Sequence, residues 1–113
     1  RAQGTQDADV VVANPTHLSI GIKYDMQTMA YPVVVSKGAD HLAFTIRKIA
    51  AEHGIPVVTR VPLAWELFEK VDIGQPVNPK VFNISEEHME TLAEVISYAY
   101  WLTGRGRTRR QTG

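Results

Sequence analysis

The sequence has no cysteine, no net charge at neutral pH and no apolar run longer than a strand. Without cysteine there is neither a disulfide framework nor a thiol nucleophile. The longest apolar stretches, Val10-Val11-Val12-Ala13 and Pro32-Val33-Val34-Val35, fall far short of the roughly 18–20 residues of a membrane-spanning helix. The first residues, RAQGTQDAD, lack the apolar core of a secretory signal, so the chain as it stands is expected to be soluble. No Gly/Ser-rich or Pro-rich linker divides the 113 residues, which suffice for one domain with one modest core. A hydrophobic content of 44% argues against wholesale disorder.

Familiar catalytic signatures are missing as well. His41, His53 and His88 are scattered without the ligand spacing of a metal site, so no metal and no cofactor is expected. Lys37-Gly38 is too short for a phosphate loop, and no serine sits in a nucleophile motif. The zero net charge hides an asymmetry. Residues 1–104 carry eight Lys/Arg against twelve Asp/Glu, whereas the end RGRTRRQTG adds four arginines and no acid. Residues 105–113 are read as a basic, flexible, solubilising tail, and nucleic acid is not an expected partner.

What is present is an alternation of strand and helix patterns. Residues 1–8 read as an irregular lead-in. Asp9 to Ala13 reads as a strand buried on both faces, and Leu18 to Tyr24 as a half-buried one with Leu18, Ile20, Ile22 and Tyr24 inward. Pro32 to Val35 is a third strand. Asp40 is expected to cap a helix running to about His53, with Leu42, Ile46 and Ile49 buried, supported by Ala43, Phe44 and Ala50, and with Gly54 as its stop. Ile55 to Val61 is a fourth strand, and Pro62 opens a short helix through Val71 packed by Leu63, Leu67 and Phe68. Residues 72–79 form a loop. Ser85 caps a last helix with Leu92, Val95, Ile96, Ala99 and Leu102 inward and with Tyr98, Tyr100 and Trp101 packing it. The expected fold class is α/β, a small mixed four-stranded sheet packed by helices.

The chemistry-bearing feature is the turn Asn14-Pro15-Thr16-His17 between two strongly apolar segments. An asparagine side-chain amide can attack its own backbone carbonyl, closing a succinimide and expelling the next nitrogen. The competing deamidation needs the next residue's N–H, which proline lacks, so Pro15 biases Asn14 towards chain cleavage. A turn fixed by strands on both sides supplies proximity, and backbone donors at the Asn14 carbonyl would stabilise its developing oxyanion. His17, an imidazole close to the reacting bond in sequence, is a candidate to move a proton to or from the reacting groups, and Thr16 is expected to shape the turn through its hydroxyl. On its own, an Asn-Pro pair is ordinarily just a turn.

The stretch Asp9 to Tyr24, DVVVANPTHLSIGIKY, resembles the hallmark of the export switch proteins of type III secretion systems and flagella. The likeness continues in PVVVSKGAD (32–40), IRKIA (46–50), GIPV (54–57), PLA (62–64) and AEVI (93–96), covering about residues 9–102. The resemblance implies a cytoplasmic domain that follows a membrane domain and cleaves itself between Asn14 and Pro15, supported by Thr16 and His17. It makes residues 1–8 a linker remnant and residues 9–104 the switch domain. It further implies that the two pieces stay folded together, at the cytoplasmic face of the bacterial inner membrane. The implied partners are export-gate components, secreted substrates and their chaperones. The alternative is a docking domain that does not cleave. Trp65 departs from the family wording, where arginine often follows Pro-Leu-Ala, and is expected to pack into the core.

Overall fold

The computed structural model describes residues 2–105. Its strands are β1 (Val10–Asn14), β2 (Leu18–Lys23), β3 (Val33–Ala39) and β4 (Val57–Thr59), forming one sheet in the order β3-β2-β1-β4. β2 runs antiparallel to both β1 and β3, while β4 lies parallel to β1. The helices are α1 (His41–Glu52), α2 (Val61–Lys70), α3 (Pro79–Phe82) and α4 (Glu86–Leu102). The expected mixed four-stranded α/β architecture is what the chain adopts. Each strand and long helix falls where the apolar pattern placed it, although β3 runs on to Ala39 and β4 shrinks to Val57–Thr59.

The sheet has two unequal buried faces. Val10, Val12, Leu18, Ile20, Ile22 and Val34 pack against α2 and α4 through Leu63, Leu67, Leu92, Val95 and Ala99. On the opposite face Val11 meets Ile46 and Ala50 of α1. Small residues let that face be approached closely: Ser19 donates its hydroxyl to the Ala43 carbonyl at 3.0 Å. A side chain at Gly38 would strike Leu42, with its Cβ 2.5 Å from Cγ. A bulge in β3 aligns Val34 with Ile22 and Ser36 with Gly21, leaving Val35 over. Lys37 thereby reaches the α2 side, where its ammonium donates to the carbonyls of Phe68 (2.8 Å) and Val71 (2.9 Å).

Several sequence expectations need correction. The segment before β1 is not irregular: Gln3–Asp7 form a 3₁₀ helix seated on the sheet. Thr5 there is fully buried and donates its hydroxyl to Ser36 at 2.7 Å. The inward face of α1 is Ala43, Ile46 and Ala50, while Leu42 and Phe44 are exposed. Both arcs have helical spacing, and the close approach to Ser19 and Gly38 selects the one lined by alanine. Trp65 is 43% exposed on the outer face of α2 rather than in the core. Tyr98, Trp101 and Leu102 are exposed on α4, and only Tyr100 of the aromatic group turns inward, donating its hydroxyl to the Tyr24 carbonyl. Residues 72–78 form the expected loop, but its last residue, Pro79, opens α3, capped by Asn78, whose side chain accepts from the Lys80 and Val81 amides. Ser85 caps α4 as expected, accepting from the His88 amide. Of the expected tail, all but Arg105 lies outside the described residues.

Candidate functional site

β1, β3 and β4 point the same way, so the segments that follow them meet at one end of the sheet. After β1 comes the turn Asn14-Pro15-Thr16-His17, after β3 comes Asp40, and after β4 comes Arg60. Carboxyl ends of parallel strands are the usual location for function in open α/β sheets, because loops and helix starts converge there. Asn14 is the last residue of β1 and pairs with Leu18, the first of β2, which closes a tight hairpin over Pro15 to His17.

Buried apolar residues hold both ends of this hairpin. Val10 to Ala13 and Leu18 to Ile22 are all buried, Asn14 is half-buried, and Pro15, Thr16 and His17 are exposed. The scissile bond predicted from sequence therefore sits where rigid sheet becomes solvent-facing turn. The carbonyl of Asn14 accepts a hydrogen bond from the backbone N–H of His17 at 2.9 Å. This is the backbone donor that the succinimide chemistry calls for, at the oxygen that becomes negative when the carbonyl carbon is attacked. The bond that closes the turn is thus made by backbone, not by the Thr16 hydroxyl.

Two neighbouring junctions clamp the hairpin. The Arg60 amide donates to the Ala13 carbonyl at 3.0 Å, and the Asp40 amide donates to the His17 carbonyl at 2.8 Å. The peptide units flanking the turn are therefore fixed from both sides. His17 Nδ1 lies 3.6 Å from an Asp40 carboxylate oxygen. Asp40 does precede α1, as sequence suggested, but its side chain makes no capping hydrogen bond. The four candidate residues Asn14, Pro15, Thr16 and His17 share this one turn, and sequence reasoning missed Asp40 and Arg60 as their neighbours. Asp40 was hidden because an acidic residue before a helix reads as a cap.

A second polar cluster ties α2 to α4 away from this turn. Glu66 receives Lys70 at 3.0 Å and His88 at 2.5 Å, and Lys70 also donates to the Asn83 carbonyl. Burial alone would raise the Glu66 carboxyl, but the hydrogen bonds and charges of His88 and Lys70 more than offset it and hold it below its ordinary value. Among the described residues no group of three or more His, Asp or Glu is placed to hold a metal, and no helix is long and apolar enough to cross a membrane.

A small α/β sheet with a strand-anchored Asn-Pro turn at its carboxyl edge defines the class to which comparisons assign the chain. The family profile described as "FlhB HrpN YscU SpaS Family" matches residues 2–98. The chain belongs to this family. It is 45% identical over 98 residues to the flagellar biosynthetic protein FlhB of Bacillus subtilis, covering 87% of this chain and 25% of that protein. Its fold matches the crystal structure of the cytoplasmic domain of FlhB from Shewanella putrefaciens with a TM-score of 0.74 at 32% identity, covering 93% of this chain and 75% of that one. The C-terminal domain of EscU, in an asparagine-to-aspartate variant, matches with a TM-score of 0.73 at 32% identity over 87% of this chain and 97% of that one. The chain spans about a quarter of the length of the curated relatives it matches.

Proposed function

We propose that this domain cuts its own backbone between Asn14 and Pro15, and that the cut domain acts as a substrate-specificity switch of a flagellar or type III export apparatus. The observation that carries the chemistry is the His17 N–H held on the Asn14 carbonyl oxygen, inside a hairpin clamped by Ala13–Arg60 and His17–Asp40 hydrogen bonds. Asn14 Nδ2 attacks its own carbonyl carbon. The C–N bond to Pro15 then breaks, Nδ2 gives up one proton and the Pro15 nitrogen gains one. Asn14 is left as a C-terminal succinimide and Pro15 as a new N-terminus. His17, close in sequence to the reacting bond, is the residue proposed to relay that proton. Water later opens the succinimide. Each chain reacts once, so there is no turnover.

Both pieces stay in one fold. The piece 1–14 retains Val10, Val11 and Val12, each fully buried, and the Thr5–Ser36 hydrogen bond. Burying a valine is worth about 1.5–3 kcal/mol, so the separated strand has strong reason to remain. Cleavage then frees the loop without dismantling the sheet and reshapes the surface around residues 15–17. Export-gate components, secreted substrates and their chaperones are the partners that would read this surface, with the whole protein at the cytoplasmic face of the inner membrane.

The test is chemical. Fragment 1–14 released from freshly cleaved protein should appear first as a species one water lighter than the free acid, the succinimide. Asn14→Asp, which replaces the amide nucleophile, should leave the chain uncut over many wild-type half-times. Wild-type-like cutting by Asn14→Asp would exclude cyclisation, and an uncut wild-type chain would leave a docking domain that does not cleave.

A further inference from the structure

Asp40 adopts φ 53° and ψ −114°, one of two non-glycine residues with positive φ among those described. This is the mirror image of extended backbone, a conformation ordinarily given to glycine because a Cβ strains it. The other residue, Asn83, sits at φ 55° and ψ 50°, in the left-handed region that asparagine tolerates well. Asp40 follows Gly38-Ala39 and precedes α1, where glycine would satisfy the same turn without the strain. An aspartate kept there suggests a use for its side chain.

That use is not capping, since no side-chain hydrogen bond runs from Asp40 to the start of α1. The carboxylate instead approaches His17 Nδ1 at 3.6 Å, while the Asp40 amide holds the His17 carbonyl at 2.8 Å. One residue therefore holds the His17 backbone and stands beside its ring. We infer that Asp40 is a positioning residue for the self-cleavage at Asn14: its backbone fixes His17 in the turn and its carboxylate orients the His17 imidazole. With Nδ1–H directed at the carboxylate, Nε2 is the ring atom left to exchange a proton with the reacting Asn14 and Pro15 groups. The separation exceeds a hydrogen bond by a few tenths of an ångström, and both side chains are largely exposed and free to close it. Such contacts commonly tighten only as reaction proceeds. This inference rests on the proposal that Asn14–Pro15 is cut.

The experiment measures the cleavage half-time of the purified 113-residue chain, using Asp40→Gly, Asp40→Asn, His17→Ala and the His17→Ala/Asp40→Gly double variant. Asp40→Gly removes the carboxylate and relieves the strain, so its urea midpoint should equal or exceed wild type while cleavage slows roughly tenfold, part of the ~10²–10⁴ that a positioned acid–base group supplies. Asp40→Asn, which keeps a neutral acceptor, should fall between the two. In the His17→Ala background Asp40→Gly should add nothing further. Because the pair is exposed, about 1 M salt should narrow the gap between wild type and Asp40→Gly. A purely structural role would produce neither the dependence on His17 nor that on salt. Wild-type cleavage by Asp40→Gly beside an active wild-type chain overturns this inference alone, as does a salt-independent gap. A wild-type chain that never cleaves overturns the proposed function and this inference together.

Discussion

Gly4 offers a sharp test of how the segment before β1 is held. A Cβ built at Gly4 would lie 2.0 Å from the Val35 carbonyl oxygen and 3.0 Å from its carbon. Both are backbone atoms of β3, which is fixed by pairing with β2. No rotamer change relieves such a clash, so Gly4→Ala must lift the 3₁₀ helix by more than an ångström. Lifting it parts the buried Thr5 and Ser36 hydroxyls, now 2.7 Å apart. Losing that bond costs about 0.5–1.5 kcal/mol, and about 1–3 kcal/mol if one hydroxyl stays buried without a partner. The variant should therefore lose about 1–3 kcal/mol in urea unfolding, and protease should cut within residues 2–8 sooner than in wild type. Gly54→Ala is the control. Gly54 has φ 67° with nothing within 4 Å of its would-be Cβ, so only local backbone strain applies and the N-terminal segment keeps its protection. A Gly4→Ala protein with unchanged midpoint and unchanged protease protection would refute the seated lead helix.

Three further outcomes are expected. Glu66 has a lowered folded-state pKa, so its contribution to stability is present above the ordinary carboxylate range and is lost as pH falls through the folded value. Glu66→Gln should accordingly be less stable than wild type at pH 7, with the gap closing on acidification; a gap that widens in acid would contradict the assignment. Trp65→Ala should change stability by less than about 1 kcal/mol, because the ring is 43% exposed on α2; a loss of about 3–5 kcal/mol in chemical denaturation would restore it to the core. Val12→Ala removes two buried methyl groups from the middle of β1 and should lower stability by about 1.5–2 kcal/mol. After cleavage the same change should speed loss of fragment 1–14 in a labelled-fragment exchange assay, and unchanged retention would mean that burial of β1 does not hold the pieces together.

Local pattern carried much of this structure. The alternation of Leu18, Ile20 and Ile22 and the continuous run Val10 to Ala13 define β2 and β1, and the turn between them is written in Asn14-Pro15. Residues 14–17 could be picked out as a candidate site because the proposed chemistry constrains neighbours along the chain. The features that escaped depend on contacts across it. The 3₁₀ helix has no periodicity of its own and exists through Gly4 on Val35 and Thr5 on Ser36. The β3 bulge, which sends Lys37 to α2 and Ser36 to the other face, leaves no mark in an apolar run such as PVVV. The exposure of Phe44 and Trp65 follows from which helical arc meets the sheet, and in both helices apolar residues occupy more than one arc. Asp40 beside His17 is a contact between the residue before β2 and the residue after β3, two neighbouring strands that only the folded sheet brings together.

The most direct test of the central claim is the intact mass of the freshly purified domain, taken first under native and then under denaturing conditions. The expected result is a native complex with the mass of the whole chain, or one water more once the succinimide has opened, that separates on denaturation into residues 1–14 and 15–113. A single unbroken chain under both conditions, persisting after prolonged incubation near neutral pH, would contradict it.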